Sequence, residues 1–300
     1  MTSFGVHISG SFETFSGFGE LCRKIEDLGF DSIWLADGPT RNMPEPLPVL
    51  AYASAFTNHV KLGTCVYIIP LRHPLVTAKL TATVDRLSNG RLILGVGVGW
   101  RQEEFSGTGV AFEDRGKVAD ECLEILRQAW EKGTVRFEGS FFRIRNVEME
   151  LHPLQKPRPE IWVGGNGLSA ARRAARFGEF WIPTDFTVEE YQKGTVALAE
   201  ACRKSNRSPS DVRMASHLLL ILDRDRSRAE ELAKTVADSL HTTVDDLREW
   251  SIIGDSTDIA RRIEAYNEAG VTYHVFNFAT RMRDEARMEL LARDVLPSFR

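Results

Sequence analysis

Leu62-Gly63-Thr64-Cys65-Val66-Tyr67-Ile68-Ile69, then Leu75 to Leu87, then Arg91-Leu92-Ile93-Leu94-Gly95-Val96-Gly97 read as strand, helix and strand. The two outer segments are nearly continuous apolar runs. Strands of that kind belong to a parallel sheet covered on both faces, whereas a half-solvated antiparallel strand alternates apolar with polar residues. The unit therefore predicts an α/β fold, and the rest of the chain either repeats it or breaks it.

Upstream it repeats. Phe4 to Ile8 is a short strand, and Phe15, Phe18, Leu21, Ile25 and Leu28 mark one helix face that stops at Gly29. Ser32-Ile33-Trp34-Leu35-Ala36 is a buried strand and Pro48 to Thr57 a helix, with the third strand taken as Val60 to Ile69. Downstream, Val118, Cys122, Ile125 and Ala129 define a helix from about Arg115 to Trp130. The rhythm then pauses at a hairpin, Val135 to Ile144, with its turn at Gly139-Ser140; residues 135–158 are read as an insertion. It resumes with Ile161-Trp162-Val163, a helix from Leu168 to Phe177, and Phe180-Trp181-Ile182. Thr187-Val188-Glu189-Glu190 has capping-box form. Met214 to Leu222 is a strand, and Ser227-Arg228-Ala229-Glu230 opens a capped helix. Residues 241–255 read as a short helix or a lid-like cover. Ser256 to Ala269, Val271 to Phe278 and a closing helix near Leu296 complete about eight strands in alternation with helices. No Pro/Gly/Ser-rich linker divides residues 1–300, so one domain is expected. A closed (β/α)8 TIM barrel with insertions is preferred to an open doubly wound sheet, because no Gly-x-Gly-x-x-Gly turn follows the first strand.

Bulk properties narrow the function. The 300-residue chain has a net charge of −4 and 27% charged residues with no dense basic block, which argues against nucleic acid. Its four cysteines are dispersed without a Cys-x-x-Cys pair, so neither zinc nor a disulfide framework is expected. The start Met1-Thr2-Ser3-Phe4 lacks a basic segment leading into an apolar run, and no stretch of about 18 apolar residues occurs. The expected compartment is the cytoplasm, with no membrane partner.

In such barrels the chemistry sits where strands end, and four strand ends are unusual. Asp37 follows Trp34-Leu35-Ala36; it reads as an acid/base or cofactor-binding carboxylate, or more plainly as the cap of an Asp-Gly-Pro turn. The segment from Leu62 to Pro74 reads by itself as a strand and a proline-bounded loop, with His73 ordering that loop. Gly95, Gly97 and Gly99 at the next strand end let another group approach the backbone closely, without forming a nucleotide fingerprint. Gly164-Gly165-Asn166-Gly167 runs directly into a helix, and backbone N–H groups at a helix N-terminus make an anion site. Arg172 and Arg173, one turn in, add charge there or are solvated surface residues.

Together these segments resemble the bacterial luciferase-like superfamily, most closely its branch dependent on the deazaflavin coenzyme F420. The resemblance rests on Leu62 to Asp85, Leu87 to Trp100, Glu103-Glu104-Phe105, Gly109 to Arg115, Pro159 to Pro183 and the ending Val295-Leu296-Pro297-Ser298-Phe299-Arg300. It implies a barrel with insertions, a homodimer, and a non-prolyl cis peptide at Cys65–Val66 that forms a bulge behind the cofactor ring. It also implies Asp37, Glu103 and Thr184 near the ring or ribityl tail, and Gly164, Gly165 and Asn166 on the phosphate, in agreement with the anion site read from the glycines.

One departure matters. Several members of that superfamily carry His after the Asp at the second strand end, where this chain has Gly38. Candidates to handle a proton are then His7, Ser9, Asp37, Tyr67 and His217, with His7 first, since imidazole titrates near neutrality; the plainer reading of His7 is a packed, hydrogen-bonded strand residue. The expected activity is F420-dependent hydride exchange with a small organic substrate. The nearest rival binds FMN and is an O2-using monooxygenase. A non-catalytic flavin or deazaflavin binder is a second class. A metal or Schiff-base lyase ranks last, for want of a clustered ligand set or a strand-end Lys.

Overall fold

The computed structural model describes residues 2–8, 15–278 and 284–300. Strands and helices alternate from the start: β1 (Ser3–Ile8), α1 (Phe18–Asp27), β2 (Ser32–Leu35), α2 (Pro46–Ser54), β3 (Lys61–Thr64), β4 (Tyr67–Ile68), α3 (Pro74–Leu87) and β5 (Leu92–Gly97). Next come α4 (Arg115–Glu131), the hairpin β6 (Thr134–Glu138) and β7 (Arg143–Glu148), β8 (Glu160–Gly164), α5 (Leu168–Phe177), β9 (Phe180–Ile182) and α6 (Val188–Lys204). The last part holds β10 (Arg213–Leu222), α7 (Arg226–Leu240), α8 (Val244–Trp250), β11 (Ile252–Gly254), α9 (Ser256–Glu268), β12 (Val271–Phe278) and α10 (Glu285–Asp294).

Parallel pairing runs β1-β2-β3-β5-β8-β9-β10-β12 and returns from β12 to β1, so eight parallel strands close into the expected barrel. The antiparallel pair β6–β7 stands apart as the expected excursion. It is fastened to α4 by Glu121, whose carboxylate accepts the backbone N–H groups of Ser140, Phe141 and Phe142 at 2.7–3.0 Å. Residues 241–255 hold α8 and β11, and β11 pairs with the far end of β10, Leu220 opposite Ile252. The box at Thr187 is present, with Glu190 as its partner, and His73 caps α3 by accepting Leu75 N–H. At α7 the cap is Asp225 rather than Ser227, because Asp225 Oδ1 accepts Ser227 N–H at 2.9 Å.

The continuous apolar runs are explained by two burials. Phe4, Val6, Leu92, Leu94, Leu218 and Leu220 face the surrounding helices, while Trp34, Ile93, Trp162, Phe180, Ala215 and Tyr273 fill the lumen. Trp162 stacks on Phe180 at 4.0 Å, and Tyr273 and Trp34 both hydrogen-bond Ser32 Oγ. The lumen is therefore a packed plug, and a ligand is confined to the rim. Among the described residues no helix is long and apolar enough to cross a membrane.

Candidate active site

The third strand, expected as one run, is broken in two. The Cys65–Val66 peptide is cis, and β3 and β4 on either side of it both pair with β5. The neighbouring glycines explain how the bulge is accommodated. A β-carbon on Gly95 would stand 1.8 Å from the Thr64 carbonyl oxygen, one on Gly97 2.4 Å from Val66 Cγ2, and one on Gly164 2.5 Å from Val66 Cγ1. The glycines of β5 thus leave room for the displaced third strand rather than for a nucleotide. Cys65 packs on the lumen plug.

Asp37, at the end of β2, supports this bulge. Its side chain is 2% exposed, accepts Ile68 N–H at 2.9 Å, and is held by a two-pronged pair with the Arg72 guanidinium, the Nη2–Oδ1 bond being 2.9 Å. Arg72 in turn lies 4.3 Å over the Tyr67 ring. Tyr67 is fully buried beneath it with burial pushing its phenol up, so its hydroxyl is not brought to the rim. Glu103 is largely exposed and paired with Arg101 at 3.0 Å.

The diglycine corner turns directly into α5. Gly165 has φ +115°, a conformation that favours glycine, and its carbonyl accepts the Trp181 indole N–H at 2.7 Å. Asn166 engages the Thr184 backbone with both amide atoms, each at 2.9 Å, so it ties the end of β8 to the end of β9. Among the described residues no side chain caps α5, which leaves the N–H groups of its first turn without a side-chain acceptor there. Arg173 is engaged by Asp120 and the Gly116 carbonyl, and Arg172 by Ser169.

His7 meets His217 at the rim end of the lumen, Nδ1 to Nε2 at 2.7 Å. Burial, with the neighbouring ring adding to it, holds His7 well below the usual imidazole range, and burial brings His217 to about 4. Both rings are therefore neutral at physiological pH. Ser9 lies outside the described residues.

Asp185 was not anticipated from the sequence. It lies three residues past the end of β9, has φ +55°, and donates its N–H to the His217 carbonyl at 3.1 Å. Its side chain is reached by solvent, yet crowding by the protein pushes its carboxyl up to about 7. The two facts fit a group lining a concavity. The only signal in the sequence was its place three residues beyond a short strand. An unfolded Asp ionises near 4, so between about pH 4 and pH 7 the folded chain holds more protons and loses stability as pH rises. Asp185→Asn is expected to melt above the wild type at pH 8 and level with it below about pH 4. Solvent screening limits the effect to on the order of 1 kcal/mol, or about 2 °C. Equal melting temperatures at pH 8 would contradict this.

A cavity of about 480 Å3 lies at the opposite end of the barrel, among the first residues of strands such as Ser3, Lys61, Glu160 and Arg213. Its place at the N-terminal face marks it as part of the barrel's base, away from the strand ends that carry chemistry. Among the described residues no group of three or more His, Cys, Asp or Glu is arranged to hold a metal.

The sequence and the fold have counterparts in known proteins. The sequence model of the luciferase-like monooxygenase family matches residues 2–249. An F420-dependent glucose-6-phosphate dehydrogenase from Beutenbergia cavernae is 31% identical over 309 residues, covering 92% of this chain and 90% of that protein. The coenzyme F420 dependent tetrahydromethanopterin reductase of Methanopyrus kandleri superposes with a TM-score of 0.85 at 22% identity, over 100% of this chain and 99% of that one. A monooxygenase from Streptomyces bottropensis superposes with a TM-score of 0.86 at 22% identity, over 99% and 100%. With the family model matched over most of its length, this chain belongs to the luciferase-like monooxygenase family.

Proposed function

We propose that the protein is an F420-dependent oxidoreductase that exchanges hydride with a small organic substrate at the rim of its barrel. The carrying observation is that Val66 touches both Gly97 and Gly164, so the bulge and the anion corner form one continuous surface. That surface suits a flat ring with a phosphorylated tail. Val66 and Cys65 would back the ring, Thr184 would flank it, and the N–H groups from Gly165 to the start of α5 would take the phosphate. When bound, the deazaflavin supplies an electron pair as hydride and reacts poorly with oxygen. The chain's own part is to seat the ring, keep water from one face, and manage the substrate's proton through His7 and its neighbours. The related F420-dependent dehydrogenase from Beutenbergia cavernae supports this cofactor.

We further propose a homodimer. Val76, Leu80 and Leu87 lie four and seven residues apart on α3 and are exposed, as is Tyr52 on α2. Such a stripe suits burial against a second copy. The cytoplasm suits the free cysteines Cys22, Cys65, Cys122 and Cys202.

One preparation tests these readings. Titration with F420 is expected to quench the cofactor's fluorescence to saturation at one per chain, with FMN binding more weakly. The F420-loaded, reduced protein is expected to consume no oxygen. Sedimentation is expected at twice the chain mass of 33.8 kDa. Preference for FMN with oxygen uptake would replace the reductase reading by a monooxygenase, and sedimentation as a single chain would remove the dimer.

A further inference from the structure

The fold leaves the Asp185 carboxyl unpaired. A turn aspartate ordinarily accepts a backbone N–H two residues on, as Asp225 does from Ser227 and Asp255 from Thr257. Here the Thr187 N–H goes to Glu190 instead. The hydroxyls of Tyr191 and Tyr266 are near enough to feel the charge of Asp185, yet they donate to the Pro183 and Phe186 carbonyls that flank it. Among the described residues no hydrogen bond or ion pair reaches this carboxyl.

Its place is fixed all the same. The Asp185 N–H donates to the His217 carbonyl on β10 at 3.1 Å, and the preceding Thr184 is tied to Asn166 by two bonds of 2.9 Å. The residue thus stands beside the glycine corner to which the phosphate was assigned above. Across the mouth its charge reaches the Cys65 thiol, part of the bulge that would back the ring. Asp185 therefore lies between the two halves of the proposed cofactor surface. A carboxylate there is out of place. Charged, it repels a phosphate nearby, and a flat ring laid over the mouth removes the water that solvates it. Neutral, it meets neither cost.

We propose that the site takes its phosphorylated ring cofactor with Asp185 protonated, so that this residue couples binding to the uptake of a proton. The inference rests on the cofactor reading above. The proton comes from solvent, which reaches the side chain in the free protein, and forms an O–H bond on a carboxylate oxygen; nothing is oxidised or reduced.

The groups facing Asp185 leave its titration distinct. Burial, with the charge of Asp185 adding to it, pushes the Cys65 thiol of the third strand up to about 12. Burial also pushes up the phenols of Tyr191 on α6 and Tyr266 on α9. On β10 and β1 it brings His217 to about 4 and holds His7 well below the usual imidazole range. These five keep their charge between about pH 6 and pH 8, while Asp185, at about 7, changes its own. On α6 the exposed Glu190 accepts the Thr187 N–H.

Fluorescence titrations with F420 at pH 6 and pH 8, on the wild type and Asp185→Asn, test the coupling. Titration calorimetry in two buffers of different ionisation enthalpy counts the protons. Asparagine keeps the shape, accepts φ +55° and mimics the neutral acid. The two proteins are expected to bind F420 alike at pH 6. At pH 8 the variant should bind about tenfold more tightly than the wild type, and the wild type should take up about one proton more per cofactor. Titration of the cofactor itself is common to both proteins and drops out of the comparison. A gain of affinity is not the result of a damaged site. Equal affinities at pH 8, or a variant weaker at both pH values, would overturn the coupling and leave the F420 reading standing. Binding by the wild type at pH 8 without proton uptake would overturn it whether or not the variant folds. Saturation by FMN and not by F420 would remove the F420 reading, and the same comparison made with FMN then decides the coupling.

Discussion

Gly95→Ala is expected to lower the unfolding free energy by about 3 kcal/mol, the upper part of the range for forcing atoms into a packed interior. The added carbon would stand 1.8 Å from the Thr64 carbonyl oxygen, a backbone atom that cannot swing aside as a side-chain end can. The main chain there is fixed from both sides. Thr64 Oγ1 donates to the Gly95 carbonyl at 2.7 Å, and Gly95 pairs with Trp162 on β8. Relief would have to come from moving the last residue of β3, and with it the bulge that begins at Cys65. Stability and F420 binding should therefore fall together. Gly167→Ala is the control: at φ −95°, with nothing within 4 Å of the added carbon, it should leave stability within about 0.5 kcal/mol of the wild type. Urea unfolding of the three proteins decides the matter, and a Gly95→Ala midpoint equal to the wild type would contradict the steric account.

The glycines also show how far the sequence could be read. Eight strands were legible because each is apolar on both faces, and that property belongs to single residues in order. The glycine corner was legible for the same reason, since Gly164-Gly165-Asn166-Gly167 and the helix after it are contiguous. What was not legible depends on residues brought together from distant strands. Nothing in Gly95-Val96-Gly97 says that Val66 will lie against it, and nothing in Asp37 says that its carboxylate will be taken up by Arg72. Asp185 gains its perturbed carboxyl only from walls that the folded rim supplies, and the His7–His217 pair joins positions 210 residues apart. The break of the third strand is intermediate: the residues from Leu62 to Ile69 read as one strand, and only the resemblance pointed to Cys65–Val66. Where local pattern and tertiary requirement part company, a functional site is the expected cause, and here each such place lies at the rim.

Arg72→Met should have the larger effect on the site itself. It removes both guanidinium bonds to a carboxylate that is 2% exposed and leaves Asp37 with the Ile68 N–H as its remaining partner. Breaking a buried pair from one side is costly because the surviving charge is neither solvated nor compensated, and about 3–5 kcal/mol is expected. The opposite change should be milder. Asp37→Asn keeps the shape, and Arg72, which is 20% exposed, still has Glu45 at 3.5 Å and the Tyr67 ring at 4.3 Å. Replacing both members by apolar residues, as in Asp37→Leu with Arg72→Met, should recover much of the loss, since no charge is then stranded. Because Asp37 anchors β4 through Ile68, Arg72→Met should also weaken F420 binding at least about tenfold, a loss of about 1.4 kcal/mol, while the double variant regains stability without regaining the cofactor. Urea midpoints and fluorescence titrations on the three variants separate these outcomes. An Asp37→Asn variant as unstable as Arg72→Met would mean that the loss does not come from a stranded carboxylate charge, and the electrostatic argument for the bulge would fail.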